Sequence, residues 1–285
     1  MDEILTKALN VVIIVFMVSA MLDCGLSLTL RQIFEPLRNI RLVISSAVAS
    51  YVLVPLIGII ISKLLGLAEP LKIGLVLFSM AAGSEAGPKV VGLAKGNVGL
   101  SVGLLVGQLG VTIIYIPLLL SLFLPEVQFD HGKLLLKLCA TVVLPTCTGL
   151  FVKARYGKMA DRLSPYMRRI SSISMLILAV SILVLNYKGI LRLFGSGAIG
   201  AALIFFAVSF LVGYLLGGPE KADRRALAII TGTRNTAISL MIASQMFDDP
   251  NELIMIIVMV VMMVITLLPL SLYLGRRTAQ QQIKV

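Results

Sequence analysis

The chain has 285 residues, of which 58% are hydrophobic and 14% are charged, and its mean hydropathy is +1.01. Soluble globular proteins carry a charge on roughly a quarter of their residues, so this composition excludes that class and predicts a polytopic membrane protein. The net charge of +11 does not indicate nucleic acid as a partner, because basic residues of membrane proteins collect at the cytoplasmic face.

Apolar runs of about twenty residues are long enough to cross the hydrocarbon layer of a bilayer. The sequence contains nine such runs, and each predicts a membrane-spanning helix. In chain order they lie near residues 4–28, 41–66, 71–94, 97–124, 133–153, 166–187, 193–217, 224–247 and 251–274. The predicted fold is therefore an all-α integral membrane protein with nine transmembrane helices.

The distribution of basic residues predicts the orientation of these spans. With the N-terminus outside, seventeen of the 25 Lys and Arg residues fall in cytoplasmic segments and seven in external ones, and Arg234 is counted with neither. This bias predicts an external N-terminus and a cytoplasmic C-terminus. The residues Asp2 and Glu3 are acidic where a secretory signal is basic, so the first run is expected to be a retained span. The absence of a transit-like start favours a bacterial inner membrane.

Two of the predicted spans, the third and the eighth, are interrupted by Gly, Pro and charged residues. The interruptions read GSEAGPK at residues 83–89 and TGTRNT at residues 231–236. The eighth span comes five places after the third, and this odd offset means that the two cross the membrane in opposite directions, so that spans 1–4 correspond to spans 6–9 as an inverted repeat. Broken helices at matching places in two inverted halves point to the binding site of a transporter. The alternative is that they are ordinary helix breaks, repaired by side chains and water.

Arg234 lies near the depth of the bilayer midplane, where a protonated guanidinium needs a partner, a water-filled cavity or an anionic ligand. Two hypotheses follow: a buried ion pair with Glu85 or Asp23, or direct contact with an anionic substrate. Short polar residues in the two breaks are suited either to binding that anion or to capping the half-helices. They are Ser84, Thr231, Thr233, Asn235 and Thr236.

Three further charged residues are candidates for the site. Glu85 and Lys89 have the spacing of a helical ion pair, although Pro88 interrupts the helix and is expected to begin its second half, with Lys89 in the first turn. Burial favours the protonated form of a carboxyl group, so Glu85 is also a candidate proton carrier. Asp23 either pairs with Arg31 or another cation near the inner interface, or relays protons.

The sequence contains no nucleophile–base set, phosphate loop or metal-ligand spacing, so neither an enzyme nor a resident cofactor or metal is expected. The three cysteines all fall in predicted spans and indicate neither a disulfide framework nor a metal site. They are Cys24, Cys139 and Cys147.

Three segments of the sequence resemble the bile acid:sodium symporter family. They are GLSLTL at residues 25–30, KGNVGLSV at residues 95–102 and ALAIITGTRNT at residues 226–236. The resemblance implies two broken helices that cross inside a core domain, which moves against a panel domain. The panel corresponds to residues 1–40 and 125–190, the core to residues 41–124 and 191–275, and residues 276–285 form a cytoplasmic tail.

The resemblance also implies where sodium binds, and this sequence departs from that pattern. The family's oxygen donors are a Ser-Asn pair, a Ser and a Thr in the next span, a Glu and a Gln four residues apart, and a further Gln. The corresponding residues here are, in the same order, Gly87 and Pro88, Ser101 and Leu105, Ile230 and Arg234, and Ser50. Only Ser101 and Ser50 keep a side-chain oxygen, so both sodium sites are expected to be lost.

We hypothesise that fixed cations replace the missing ions. Two sodium ions beside one Glu carry one net positive charge, and Arg234 and Lys89 beside Glu85 carry the same, with Asp23, Ser50, Ser101 and Thr231 as further charge-compensating groups. The resulting prediction is a sodium-independent or proton-coupled secondary transporter of an organic anion, and the resemblance implies that this anion is a bile acid, a steroid conjugate or a small carboxylate such as pantoate or pyruvate. The alternatives are a conventional sodium-coupled symporter and a membrane sensor that binds an anion without transporting it.

Overall fold

The computed structural model of the protein describes residues 3–34, 39–123, 130–185, 195–247 and 249–283. All regular secondary structure in these ranges is helical, which confirms the predicted all-α class. Seven described segments are long and apolar enough to cross a membrane: Ala8–Ser27, Ile40–Leu64, Val98–Leu120, His131–Arg155, Ala198–Leu216, Lys221–Met246 and Asn251–Gln280. The predicted spans at 71–94 and 166–187 are not among these seven.

The described residues form twelve helices, some of which are halves of one predicted span. They are α1 (Glu3–Ser27), α2 (Leu30–Phe34), α3 (Ile40–Leu64), α4 (Glu69–Met80), α5 (Gly87–Leu93), α6 (Val98–Phe123), α7 (His131–Arg155), α8 (Gly157–Leu185), α9 (Ala198–Leu216), α10 (Lys221–Gly232), α11 (Thr236–Met246) and α12 (Pro250–Ile283). Two of them contain a π-helical turn, at Ala49–Leu53 in α3 and at Cys139–Val143 in α7.

The first interruption separates α4 from α5. Gly83 has φ +86, a left-handed conformation that glycine adopts without the steric penalty of a Cβ atom. Helix α5 begins at Gly87, one residue before the predicted start, and Pro88 lies in its first turn, where the missing N–H group is not needed. Glu85 precedes α5, so the spacing between Glu85 and Lys89 is not helical.

The second interruption separates α10 from α11. Thr233 and Asn235 have extended backbone conformations, and the Asn235 side chain accepts a hydrogen bond from the backbone N–H of Ile238. This is the geometry of an N-cap, which satisfies one of the free N–H groups at the start of a helix. Both interruptions therefore lie where the sequence predicts them.

The helices pack in two groups. Helices α1, α7 and α8 pack against one another, whereas α9 packs against α10 and α12, and α4 packs against α3 and α12. Helix α1 also contacts α11. The second interruption thus lies next to the boundary between the two groups.

Two glycines let α1 and α7 approach each other closely. A Cβ atom on Gly25 would lie 2.2 Å from the carbonyl oxygen of Thr146, and one on Gly149 would lie 2.7 Å from the carbonyl oxygen of Leu22. Such contacts between backbones are available only where small residues face each other across a helix pair, as is common in membranes.

Replacing Gly25 with Ala is expected to destabilise the protein by about 1–3 kcal/mol, because the added methyl group forces α1 and α7 apart. The matched control is Gly110→Ala in α6, where an added Cβ atom meets no other atom within 4 Å. Thermal unfolding in detergent should give a lower midpoint for Gly25→Ala and an unchanged or higher one for Gly110→Ala. Equal midpoints would contradict the close contact.

Candidate functional site

Asn235 joins the two interruptions. Its backbone N–H donates to the carbonyl oxygen of Ala81 at 2.7 Å, and its side-chain Nδ2 donates to the carbonyl oxygen of Gly83 at 2.9 Å. Its Oδ1 accepts from the N–H of Ile238 at 3.0 Å. The residue is fully buried, so the first two bonds hold one break against the other out of contact with water, and the third caps α11.

The start of α5 lies directly against the end of α10. A Cβ atom on Gly87 would lie 2.6 Å from Cδ1 of Ile230 and 3.1 Å from Oγ1 of Thr233. Gly87 and Ile230 stand at positions where the resemblance implies sodium-binding side chains. Here a methyl group fills the space between them, and neither side chain offers an oxygen.

Arg234 is fully buried in the second interruption. Its Nη2 donates to the carbonyl oxygen of Thr231 at 2.7 Å, its Nη1 donates to the carbonyl oxygen of Ser50 at 3.3 Å, and its Nε has no hydrogen-bond partner. Within the described part of the chain, no carboxylate lies within 4.0 Å of this guanidinium.

Of the two hypotheses for Arg234, the buried ion pair with Glu85 or Asp23 is therefore wrong. The guanidinium instead faces the π-helical turn of α3, which presents the Ser50 carbonyl to it. Carbonyl oxygens satisfy its N–H groups but do not neutralise its charge. The result is a buried cation that has no counterion among the described residues, near the point where the two interruptions meet.

A buried polar network extends from Ser50 along α6. Gln108 donates through Nε2 to Oγ of Ser50 at 2.8 Å, and its Oε1 is buried without a partner. Tyr51 donates to the carbonyl oxygen of Gln108 at 2.5 Å and lies 3.0 Å from Oγ1 of Thr112, which donates to the carbonyl oxygen of Ala82 at 3.1 Å. The network thus connects α3 and α6 to the first interruption.

Sequence reasoning missed Gln108, Thr112 and Tyr115, as well as Tyr51. The first three are spaced four and three residues apart in an apolar span, which places them on one face of α6. That spacing is the signal that could have identified them. Tyr115 donates to the carbonyl oxygen of Tyr51 at 2.7 Å and so belongs to the same network.

The remaining short polar candidates are buried. Ser101 donates to the carbonyl oxygen of Val98 in its own helix at 2.7 Å, and Thr233 donates to that of Ile230 at 3.4 Å. Ser84 lies in the first interruption, and Thr236 is the first residue of α11. Oγ1 of Thr231 is buried without a hydrogen-bond partner.

A cavity of about 100 Å³ lies between α1, α8 and the first interruption. It is lined by Asp23, Cys24, Ser27, Leu28, Glu85, Pro88, Lys89, Leu105 and Arg168. Its walls therefore come from both helix groups and carry charges of both signs.

Glu85 and Lys89 line the same cavity without forming an ion pair. Oε2 of Glu85 is buried and has no hydrogen-bond partner, whereas Lys89 is exposed. Among the described residues, no acidic group lies within 4.0 Å of Lys89. The predicted helical pair does not form, because Glu85 lies in the interruption before α5 begins at Gly87.

Asp23 forms an ion pair across the cavity wall. Its Oδ2 accepts from Nε of Arg168 in α8 at 3.0 Å, and its Oδ1 accepts from Oγ of Ser164 at 2.6 Å and of Ser27 at 3.2 Å. The partner is thus Arg168 and not Arg31. Three donors stabilise the charged carboxylate, and the pair links α1 to α8.

The chain is similar to named transporters of plants and bacteria. It is 29% identical to "Probable sodium/metabolite cotransporter BASS1, chloroplastic" of Arabidopsis thaliana over 241 aligned residues, and the aligned region covers 83% of this chain and 60% of that protein. It is 27% identical over 234 residues to "Probable sodium/metabolite cotransporter BASS2, chloroplastic" of Oryza sativa subsp. japonica, and this region covers 81% of this chain and 56% of that protein. It is 25% identical over 241 residues to "Uncharacterized sodium-dependent transporter YocS" of Bacillus subtilis (strain 168), and this region covers 82% of this chain and 74% of that protein.

The chain spans less than two thirds of the length of the two plant relatives. All three relatives are named as transporters, which confirms the prediction that the chain is not an enzyme.

The sequence pattern of the sodium bile acid symporter family matches residues 12–193, more than half of the chain. The match includes α3 to α7 and so contains the first interruption and the network on α6. Together with the seven described segments that are long and apolar enough to cross a membrane, it identifies a multi-pass integral membrane protein. The resemblance seen in three short segments is thereby confirmed, and the chain belongs to the sodium bile acid symporter family.

Proposed function

We propose that the protein is a secondary transporter that moves organic anions by alternating access without requiring sodium. The observation that carries the proposal is Arg234, which is fully buried where the two interruptions meet and has no acidic partner among the described residues. A buried charge without a counterion is costly, and an anionic ligand lowers that cost.

The proposed architecture is an inverted repeat of nine spans. Its support is the pair of interruptions, at residues 81–86 and 233–235, which Asn235 joins. Helices α1, α7 and α8 pack together and form the panel, residues 1–40 and 125–190, while the other spans form the core, residues 41–124 and 191–275. Because the charged cavity lies between these two groups, movement of the core against the panel opens and closes it.

The proposed anion site combines Arg234 with the polar residues of the interruptions. The carboxylate of the substrate binds where Nε of Arg234 is free and where α11 begins, since the start of a helix carries partial positive charge. Lys89 attracts the anion into the cavity. The proposed contributing residues are Ser84, Thr233, Asn235 and Thr236, with Ser50, Ser101, Thr231, Glu85 and Asp23 around them.

The residues at the crossing do not fit a sodium ion. Sodium is a hard cation that requires several oxygen ligands, and the carbonyl oxygens of Ser50 and Thr231 already accept from Arg234. The guanidinium repels a second cation, and Ile230 fills the space beside Gly87. These observations support a transport cycle without sodium, coupled to protons or to no ion.

The proposed location is a bacterial inner membrane, with the N-terminus outside and the C-terminus in the cytoplasm. The excess of Lys and Arg in the segments that follow the odd-numbered spans supports this orientation. The charged cavity beside the end of α1 then lies toward the cytoplasmic side.

A second candidate function is conventional sodium-coupled cotransport. It is favoured by the names of the relatives, which describe a sodium/metabolite cotransporter and a sodium-dependent transporter. It requires a sodium site that does not use the positions occupied here by Arg234 and Ile230.

Uptake into proteoliposomes separates these functions. Labelled pyruvate, pantoate and taurocholate are offered in sodium buffer and in choline buffer, and at least one is expected to enter at the same rate in both. The physical reason is that Arg234 supplies the positive charge that a bound ion otherwise supplies.

Two results would count against the proposal. A steep requirement for sodium would favour the second candidate. Binding of one of these anions without flux or counterflow would indicate a sensor that does not transport.

A further inference from the structure

We infer that Glu85 is a proton-binding site, and that one proton crosses the membrane together with each anion. This inference rests on the proposed function and names its coupling ion. It concerns the cavity between α1, α8 and the first interruption, which is separate from the carbonyl groups that hold Arg234.

The two carboxylates that line the cavity differ in their hydrogen-bond partners. Asp23 accepts hydrogen bonds from Arg168, Ser164 and Ser27, so its charged form is stabilised. Glu85 has a buried Oε2 without a hydrogen-bond partner, and no basic group among the described residues lies within 4.0 Å of it. A buried acceptor without a donor is costly when charged, and adding a proton removes that charge.

The groups that face Glu85 come from each helix around the cavity. They are Asp23 and Cys24 on α1, Lys89 on α5 and Arg168 on α8, while α6 contributes the apolar Leu105. The negative charge of Asp23 disfavours the ionised form of Glu85. Lys89 favours that ionised form, but its side chain is exposed and does not contact Glu85. Cys24 is a neutral thiol that provides no compensating charge.

The charges of the cavity predict that proton and anion bind together. With Glu85 ionised, the two acidic and two basic side chains balance each other. With Glu85 protonated, one positive charge is in excess, and this excess favours a monoanion at the neighbouring Arg234 site. Each ligand therefore increases the affinity for the other, as linkage requires.

The proton balance of the cycle is simple. The Glu85 carboxylate takes one proton from the aqueous phase on the side where the cavity is open, and the O–H bond breaks on the opposite side to return it to water. No other bond changes, and a monoanion with one proton carries no net charge. Transport of a monoanion should therefore respond to a pH gradient and not to membrane potential.

Infrared difference spectroscopy tests the site without a substrate. Purified protein in lipid is cycled between pH 5 and pH 9, conditions chosen to span protonation of a buried carboxyl group. The wild type should lose a carbonyl-stretch band at the higher pH, and this band should be missing in Glu85→Gln. The control is Glu69→Gln, which removes an exposed carboxylate from α4 of the same interrupted span and should keep the band. An identical spectrum for wild type and Glu85→Gln would overturn the inference.

Proteoliposomes test the coupling with labelled pyruvate, pantoate and taurocholate in choline buffer. An inward gradient of one pH unit should drive about tenfold accumulation of a transported monoanion by the wild type and by Glu69→Gln. Glu85→Gln, which resembles the protonated state, should still exchange the anion but should not concentrate it. Accumulation by Glu85→Gln equal to the wild type would overturn the inference. Loss of all uptake in choline by the wild type would instead contradict the proposed function, and the infrared result would still decide whether Glu85 binds a proton.

Discussion

Replacement of Arg234 by Gln is expected to lower the rate of anion uptake about 100-fold, in sodium and in choline alike, because a charged hydrogen bond contributes about 1.5–3 kcal/mol. The substitution removes the only described basic side chain that is fully buried at the crossing. Gln keeps polar atoms near the carbonyl oxygens of Ser50 and Thr231 but offers no charge to the anion. The measurement is the initial rate of uptake into proteoliposomes with equal amounts of folded protein.

Two further variants identify the cause of the loss. Arg234→Lys keeps the charge but lacks the planar guanidinium whose two Nη groups reach the two carbonyl oxygens. An intermediate rate of uptake is therefore expected. Arg276→Gln removes an exposed basic residue near the end of α12 and should transport as the wild type does. An unchanged rate for Arg234→Gln would show that the buried cation does not take part in transport.

The sequence predicts the helix interruptions well because their causes are local. Gly83 and Pro88 set the backbone at the first break, and Asn235 caps the helix after the second. Each of these effects acts within one helical turn, so neighbouring residues are enough to predict it. The apolar spans are predictable for the same reason, since length and hydropathy are properties of continuous segments.

The partners of the charged residues could not be predicted in the same way. Arg234 and Ser50 are far apart in the chain, and Asp23 pairs with Arg168, which lies five spans away. The sequence shows which residues are charged, but it does not show where their side chains point. The π-helical turn at Ala49–Leu53 presents the Ser50 carbonyl to the guanidinium. None of the residue types in that turn predicts a π-helical conformation.

Asn235→Ala is expected to lower the stability of the protein by about 3–5 kcal/mol, because it leaves two buried backbone groups without partners. The carbonyl oxygen of Gly83 loses its donor, and the N–H of Ile238 loses its acceptor. Only the bond from the Asn235 backbone to Ala81 remains between the breaks at this point. The measurement is the midpoint of thermal or denaturant unfolding in one detergent for all variants.

Asn97→Ala is the matched control for this change. Asn97 makes the same two kinds of bond, since its Oδ1 accepts from the N–H of Leu100 at 3.0 Å and its Nδ2 donates to Asp223 at 2.8 Å. It is exposed, however, so water replaces the lost partners and the expected cost is below about 1 kcal/mol. Equal shifts for the two variants would mean that packing, such as Gly87 against Ile230, holds the interruptions together without the help of Asn235.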